Sequence, residues 1–295
     1  MARWATFVQR HQDPTANWLT VDAGNFVDRA GAKGGCSDKC QFLVNSYEDL
    51  HYDVLNIARQ EVSMGYETLV ALRDTSRGTS YVSANLIDAK SKKPLFEPYV
   101  IKDYGNMRVG VMGLLRDADF PETSSIVDTN YMRVTSTQAA AAKYLPELIR
   151  KTDAVILLCE LPTDDLDSLV QKYPDIAVII STGALRTGET ATTMGKTRVL
   201  GTGSSGYNGH YATLEFQPSW GDSVGFADFK DALLESYDIP GQWSERLAAF
   251  EGKGGSAQTP APSQLKLAPG ENPANTPTNT QKKSTQPGHE GHDHG

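Results

Sequence analysis

The sequence predicts a layered α/β domain over residues 1–250, and three observations carry that reading. Helical and strand-length patterns alternate along the chain. The apolar runs are short and mostly non-alternating, as in strands covered on both faces. From residue 251 the composition changes abruptly. Strand order is left open.

Taken in order, ARWATFVQRH opens the chain as a helix, with Trp4, Ala5, Phe7 and Val8 on one face. NWLTVDAGNF follows as an apolar strand that stops at Asp22-Ala23-Gly24-Asn25. In open α/β folds the carboxyl ends of strands carry the chemistry, because loops there gather polar groups in a crevice without burying them unpaired. Asn25 is therefore a candidate working residue. In GGCSDKC, Ser37 is placed to cap a helix running from about Asp38 to Leu50. Cys40 then falls in its first turn and Cys36 just before the cap.

The runs TSYVSANL, RVGVMGLL, DAVILLCEL, DIAVIISTG and RVLGTG are each of strand length. EPYVIKDYGNMRVGVMGLL predicts a hairpin turning at Tyr104-Gly105-Asn106. Residues 135–151, TSTQAAAAKYLPELIRK, predict a helix capped by Thr or Ser and bent or restarted at Pro146, since proline removes an internal hydrogen bond. GFADFKDALLESYDIPGQWSERLAAF predicts two short closing helices. Residues 251–295 contain no Phe, Trp or Tyr and are expected to form a disordered tail, having too little apolar surface to offset the entropy of ordering.

With 295 residues, 39% hydrophobic and 22% charged, the chain suits one large domain or two small ones. A net charge of -8 argues against nucleic acid and anionic membrane surfaces as partners, because both select basic faces. No run approaches the roughly 18 apolar residues of a membrane span, and no export signal follows Met1. Cys36, Cys40 and Cys159 are too few for a disulfide framework, and no C-x-x-C-H motif for haem occurs.

The Cys36/Cys40 pair has two open readings. One is redox or metal use, because the first turn of a helix favours a thiolate and the pair is within disulfide reach; the other is two small residues beside a turn. Cys159, in a buried strand, reads as a small hydrophobe. His289, His292 and His294 in the terminal HEGHDHG have a composition that holds Zn²⁺, Cu²⁺ or Ni²⁺ weakly. His11, His51 and His210 read as surface residues. The glycines of TGSSGYNG suit a turn better than an anion cradle.

Set in order, DAGN at 22–25, YDVLNIARQEVSMG at 52–65, SANL at 83–86, PYVIKDYGNMRVGVMGL at 98–114, DAVILLCELP at 153–162, IISTGAL at 179–185 and TGSSGYNG at 202–209 form a recognisable series. It resembles the N-terminal domain of the 5′-nucleotidase and UDP-sugar hydrolase family of calcineurin-like metallophosphoesterases, over about residues 1–216. The resemblance implies an α/β/β/α sandwich. It also implies a site of two divalent cations, which clamp phosphate oxygens and generate a hydroxide nucleophile. In such families the ligands come from Asp-x-His, Gly-Asp, Gly-Asn-His-Glu, Ser-His and Gly-His-x-His at strand ends.

By that resemblance Asn25 stands in place of the bridging aspartate, and an amide oxygen is a weaker, neutral ligand. Ala58-Arg59-Gln60-Glu61 stands for Gly-Asn-His-Glu, so Arg59 replaces a liganding asparagine and Gln60 the histidine that assists the transition state. Cys159-Glu160 stands for Ser-His, and Ser181-Thr182-Gly183-Ala184-Leu185 lacks both imidazoles of the last motif. A guanidinium about 5 Å from a divalent ion, at an effective dielectric of 20, is repelled by roughly 6–7 kcal/mol. The series thus predicts a degenerate, catalytically impaired member, with Glu61 or Glu160 pairing with Arg59 to seal the vacated site. Asn25, Glu160 and Asp22, with Glu61, are the weak alternative for a single hard cation. Across these readings the divalent ions in question are Mn²⁺, Zn²⁺, Mg²⁺ or Ca²⁺.

The resemblance further implies an extracytoplasmic, periplasmic setting, with an unidentified protein or a small phosphorylated molecule as partner. The Asp-x-His strand has no counterpart, because MARWATFVQR matches the helix after it. The expectation is an N-terminally incomplete sandwich whose first strand is encoded upstream. One route is a selenocysteine UGA read as a stop, as in sequences related to this family. The base-gripping C-terminal domain of the nucleotidases has no counterpart after residue 216, so nucleotide specificity is not implied.

Overall fold

The computed structural model describes residues 2–27, 35–121, 126–183, 191–202, 208–216, 224–233 and 237–252. The terminal histidines, most of TGSSGYNG and the proposed tail beyond Gly252 lie outside the described residues. The chain runs α1 (Ala2–His11), β1 (Val21–Asp22), α2 (Asp38–Asp49), β2 (Val54–Asn56), α3 (Arg59–Val62), α4 (Tyr66–Thr75), β3 (Ser80–Val82) and β4 (Leu86–Asp88). The hairpin β5 (Tyr99–Asp103) and β6 (Arg108–Leu114) follows, then β7 (Met132–Val134), α5 (Thr137–Lys151), β8 (Ala154–Cys159), α6 (Thr163–Lys172) and β9 (Val178–Ser181). The last elements are β10 (Thr192–Met194), β11 (Thr197–Gly201), β12 (Asn208–Phe216), β13 (Val224–Ala232) and α7 (Gly241–Gly252).

Two sheets face each other. One is parallel, in the order β1-β2-β3; the other runs β10-β11-β9-β8-β6-β5, parallel in its interior with antiparallel strands at both edges. Ala23, Val54 and Val82 of the first side pack on Val109, Val111, Ile156, Leu158, Val178 and Leu200 of the second, forming the apolar layer between the sheets. The outer face of the smaller sheet, with Leu55 and Tyr81, is covered by Val44 and Tyr47 of α2 and Leu69 and Leu72 of α4. The outer face of the larger sheet is covered by Ala141, Leu145 and Leu148 of α5 and Leu166, Leu169 and Val170 of α6. The result is the α/β/β/α sandwich.

Strand β8 explains why its sequence does not alternate. All six residues of AVILLC are buried, Leu157 and Cys159 toward the helices and Ile156 and Leu158 toward the opposite sheet. In β6 the same alternation puts glycines where each layer is tightest. A Cβ on Gly113 would lie 2.4 Å from Asn56 Oδ1, and one on Gly110 would lie 2.6 Å from Leu148 Cδ1.

Ser37 caps α2 by accepting the Cys40 N–H at 3.2 Å. The 104–107 turn closes the β5–β6 hairpin, with the Tyr104 N–H donated to the Met107 carbonyl at 2.9 Å. Ser136 caps α5, which continues through Pro146 without restarting. The two closing helices are not both formed. Residues 224–232 are a strand paired antiparallel with β12 from Asn208↔Ala232 to Phe216↔Val224, and only α7 is helical. Long-range pairing to β12 outweighs the local helix-forming composition there. Helix α1 buries Ala2, Ala5 and Phe7; its first two pack near Trp243 of α7.

Candidate functional site

The loops that follow β1, β2, β8 and β9 at their carboxyl ends meet across the two sheets. Gly24 and Asn25, just after β1, both take positive φ, 98° and 60°. Gly24 is required there, since a Cβ would sit 2.5 Å from Ala58 Cβ, while Asn tolerates the left-handed region better than most residues. This turn aims Asn25 at the loops after β2, β8 and β9. Its Oδ1 accepts the Gln60 N–H at 3.0 Å, and its Nδ2 donates to Thr182 Oγ1 at 3.3 Å. Its side chain also lies near enough to Glu160 to lower that carboxyl. Asn25, Arg59, Gln60 and Glu160 are thus brought together.

Glu61 sets the geometry. Its fully buried carboxylate accepts four backbone N–H groups: Asn25 at 2.8 Å and Ala58 at 3.0 Å on Oε2, Phe26 at 2.8 Å and Val27 at 3.2 Å on Oε1. Burial pushes its carboxyl up to about 7, the N–H groups pulling the other way and nearby Asp22 adding to the rise. Glu61, which the sequence offers as a cation ligand or an arginine partner, is instead the acceptor of this clamp. The clue available in sequence was the need of the Gly24-Asn25 turn for acceptors of its freed N–H groups.

Asp22 is turned away from this group. Its Oδ1 accepts the Gly24 N–H at 2.8 Å and its Oδ2 the Tyr47 hydroxyl at 2.9 Å, and burial raises its carboxyl to about 6. It acts as a turn-former against α2.

The seal by a salt bridge is not formed. Arg59 is exposed, and its guanidinium makes no ion pair with Glu61 or Glu160 among the described residues. Instead the Arg59 backbone N–H points to Glu160 Oε2 at 3.4 Å. Glu61 is held inward by its four N–H donors, which leaves the guanidinium facing solvent. The Glu160 carboxyl is raised chiefly by burial, with Asn25, the Arg59 N–H and the more distant guanidinium lowering it and Asp119 raising it.

A two-cation centre needs several anionic and imidazole donors with free lone pairs. Among the described residues no group of three or more His, Cys, Asp or Glu side chains is placed to hold a metal. Asn25 Oδ1 and both Asp22 oxygens already accept hydrogen bonds. Among the described residues the oxygens gathered here are joined by no group of metal-holding side chains, and no step is derived through a pair of cations.

No protein-family model matches the chain. A 2′,3′-cyclic-nucleotide 2′-phosphodiesterase/3′-nucleotidase of Yersinia enterocolitica is 27% identical over 86% of this chain and 41% of its own length. A second protein of that description, from Salmonella typhimurium, is 27% identical over 58% of this chain and 29% of its own. The chain therefore spans less than half of these curated relatives. The solved sulfate thiohydrolase SoxB of Thermus thermophilus superposes with a TM-score of 0.70 at 19% identity, covering 85% of this chain and 46% of that one. A 5′-nucleotidase precursor, also from Thermus thermophilus, gives 0.69 at 19% identity, over 86% of this chain and 53% of that one. The chain thus has the fold of the 5′-nucleotidase-like, calcineurin-type metallophosphoesterases and is similar in sequence to curated phosphodiesterase/nucleotidases over most of its length.

Two other candidate groups lie elsewhere in this metallophosphoesterase fold. Cys36 and Cys40 form a disulfide at the start of α2. Cys159 is fully buried beneath α5 and α6, its thiol pushed up to about 12 by burial, and it belongs to a different core from Cys40. It therefore does not face that pair. His11 is not the surface residue that the sequence suggests: its Nε2 is 3.3 Å from the Tyr237 hydroxyl, and its ring lies 4.6 Å from Phe7 and 5.0 Å from Tyr211. It packs in an aromatic cluster under α1. Among the described residues no helix is long and apolar enough to cross a membrane.

Proposed function

We propose that this chain is a degenerate member of the metallophosphoesterase family that binds without efficient hydrolysis, serving as an extracytoplasmic binding or accessory module. The observation that supports this is the pairing of a committed Asn25 with an exposed Arg59 guanidinium. The amide oxygen where a bridging carboxylate is expected accepts the Gln60 N–H, and the guanidinium supplies positive charge at the rim where cations would otherwise do so. A guanidinium recognises phosphate through charge-assisted, bidentate hydrogen bonds, so the ligand class is a small phosphorylated molecule. The relatives named as nucleotidases make a nucleoside monophosphate the natural probe. A disulfide at Cys36–Cys40 agrees with an oxidising, extracytoplasmic compartment.

The test is metal content after exposure to Mn²⁺ and Zn²⁺, on a chain ending at residue 250 so that His289, His292 and His294 do not contribute. It is combined with a generic phosphate-ester assay and calorimetric binding of a nucleoside monophosphate. The expected result is no tightly held metal, no turnover, and binding that Arg59→Gln abolishes. Two retained metals per chain, with turnover lost in Glu160→Gln, would establish a working hydrolase instead.

A further inference from the structure

The disulfide joins Cys36 and Cys40 with their Cα atoms 5.2 Å apart, and its two sulfurs differ in access. Cys40 is 2% exposed, in the first turn of α2, with its Sγ 3.5 Å from Met64 Sδ. A disulfide sulfur carries no hydrogen, so this contact is packing; after reduction it becomes a place for the Cys40 thiol to donate. Cys36 precedes the Ser37 cap and is only partly covered. An incoming group meets Cys36 first.

The bond is also a weak staple. It closes a ring across a sequence separation of four, and short rings restrict the unfolded chain less than long ones. Its surroundings are held without it: Ser37 caps α2 through the Cys40 N–H, and Val44 and Tyr47 anchor the helix in the core. The pair therefore combines limited structural need with one reachable sulfur, at the amino end of a helix of 12 residues whose dipole favours an anionic sulfur.

We propose that Cys36–Cys40 is a thiol–disulfide exchange site, with Cys36 Sγ as the sulfur attacked and Cys40 Sγ as the leaving one, and a dithiol as the exchanging partner. A thiolate of the dithiol bonds to Cys36 Sγ as the Cys36–Cys40 bond breaks. The electron pair of that bond passes to Cys40 Sγ, which takes a proton from solvent. The second thiolate of the dithiol then attacks its own sulfur in the mixed disulfide. This closes the dithiol's disulfide and releases Cys36 as a thiolate, which is protonated in turn. The protein disulfide gains two electrons and two protons, and the dithiol loses the same. Run backwards, the reduced pair reduces a disulfide.

The site is independent of ligand binding around Asn25 and Arg59 but touches the same framework. Met64, the neighbour of Cys40, donates its N–H to the Glu61 carbonyl at 3.0 Å, at the end of the short helix that carries Arg59 and Gln60.

The experiment uses the full chain without denaturant, equilibrated in glutathione redox buffers and read by differential alkylation, mass spectrometry and near-UV circular dichroism. Reversible interconversion is expected with the dichroism unchanged. After brief limiting reduction, Cys36 should alkylate at least about tenfold faster than Cys40, since access to the thiolate controls the rate. Cys40→Ser should accumulate a glutathione adduct on Cys36, and Cys36→Ser should form none on Cys40. A bond that opens only in step with loss of the dichroism signal would make the pair a structural staple and overturn the proposal. Equal alkylation of both sulfurs would overturn the assigned polarity. Should the buried Cys40→Ser change prevent folding, the alkylation rates of the unmodified chain decide alone.

Discussion

The Glu61 carboxylate accepts the Asn25 backbone N–H at 2.8 Å, so the acid that follows β2 holds the turn that follows β1. The same group takes the N–H groups of Phe26, Val27 and Ala58. Glu61→Gln keeps the size but replaces one acceptor oxygen by an NH₂ facing donors. A buried charged acceptor contributes about 1.5–3 kcal/mol per hydrogen bond, and unsatisfied donors add to the cost. The variant should lose about 2–4 kcal/mol in urea unfolding. A loss below about 0.5 kcal/mol, the range of surface substitutions, would mean the clamp is not formed in solution.

Asp22 and Glu61 also predict how stability depends on pH. Burial raises their carboxyls from 3.8 and 4.5 to about 6 and about 7. Between the lower and upper values the folded chain holds protons that the unfolded chain has released, so stability falls as pH rises. Their contribution is full below about pH 4 and is lost as pH passes through 6 and 7. The urea midpoint should be lower at about pH 8 than at about pH 5, with a flatter profile in Asp22→Asn. A midpoint that climbs over that interval would reverse the assignment.

The glycines of β6 should differ in tolerance. An added Cβ at Gly113 meets Asn56 Oδ1 at 2.4 Å and the Val82 carbonyl oxygen at 2.7 Å, neither of which yields without moving the opposite sheet. At Gly110 the nearest atoms, from 2.6 Å, belong to the Leu148 side chain, which can change rotamer. Overpacking costs about 1–3 kcal/mol. Gly113→Ala is expected at or above the top of that range and Gly110→Ala near its lower end, as read from paired thermal and urea unfolding.

Buried Cys159 should be inert in the native state. Its thiol is pushed up to about 12 by burial, far above the pH at which alkylating reagents meet a thiolate. Labelling in the native chain should therefore proceed at the rate of unfolding, unchanged by reductant. Labelling within minutes under native conditions would place the thiol at the surface.

These predictions rest on features of unequal legibility. The AVILLC strand, the hairpin at Tyr104-Gly105-Asn106 and the Ser37 cap could be read because their signals are local: an unbroken apolar run, a glycine turn, a hydroxyl before a helix. Residues 224–232 could not, since Lys230, Asp231 and Ala232 suit a helix and only the distant β12 makes them a strand. The group around Asn25 follows the same rule. Strand ends singled out Asn25, Arg59, Gln60 and Glu160, whereas the role of Glu61 and the Thr182 contact depend on which loops face each other. The Arg59 seal failed because Glu61 was already taken by backbone donors that sequence does not display.

The donor set around Asn25 leads to the last prediction. Arg59→Asn removes a positive charge beside this group, which repels a divalent ion, and Asn25→Asp restores a carboxylate. The double variant would then present two acids, at 25 and 160, with an amide at 59. The Gln60 N–H, now donated to Asn25 Oδ1 at 3.0 Å, would bond still more strongly to a carboxylate there. No imidazole completes the coordination among the described residues. Removing the block should thus leave less than one Mn²⁺ per chain after dialysis at micromolar metal, measured by elemental analysis on a chain ending at residue 250. Two ions per chain would mean that these few oxygens suffice, and that Asn25 and Arg59 are what hold the centre empty.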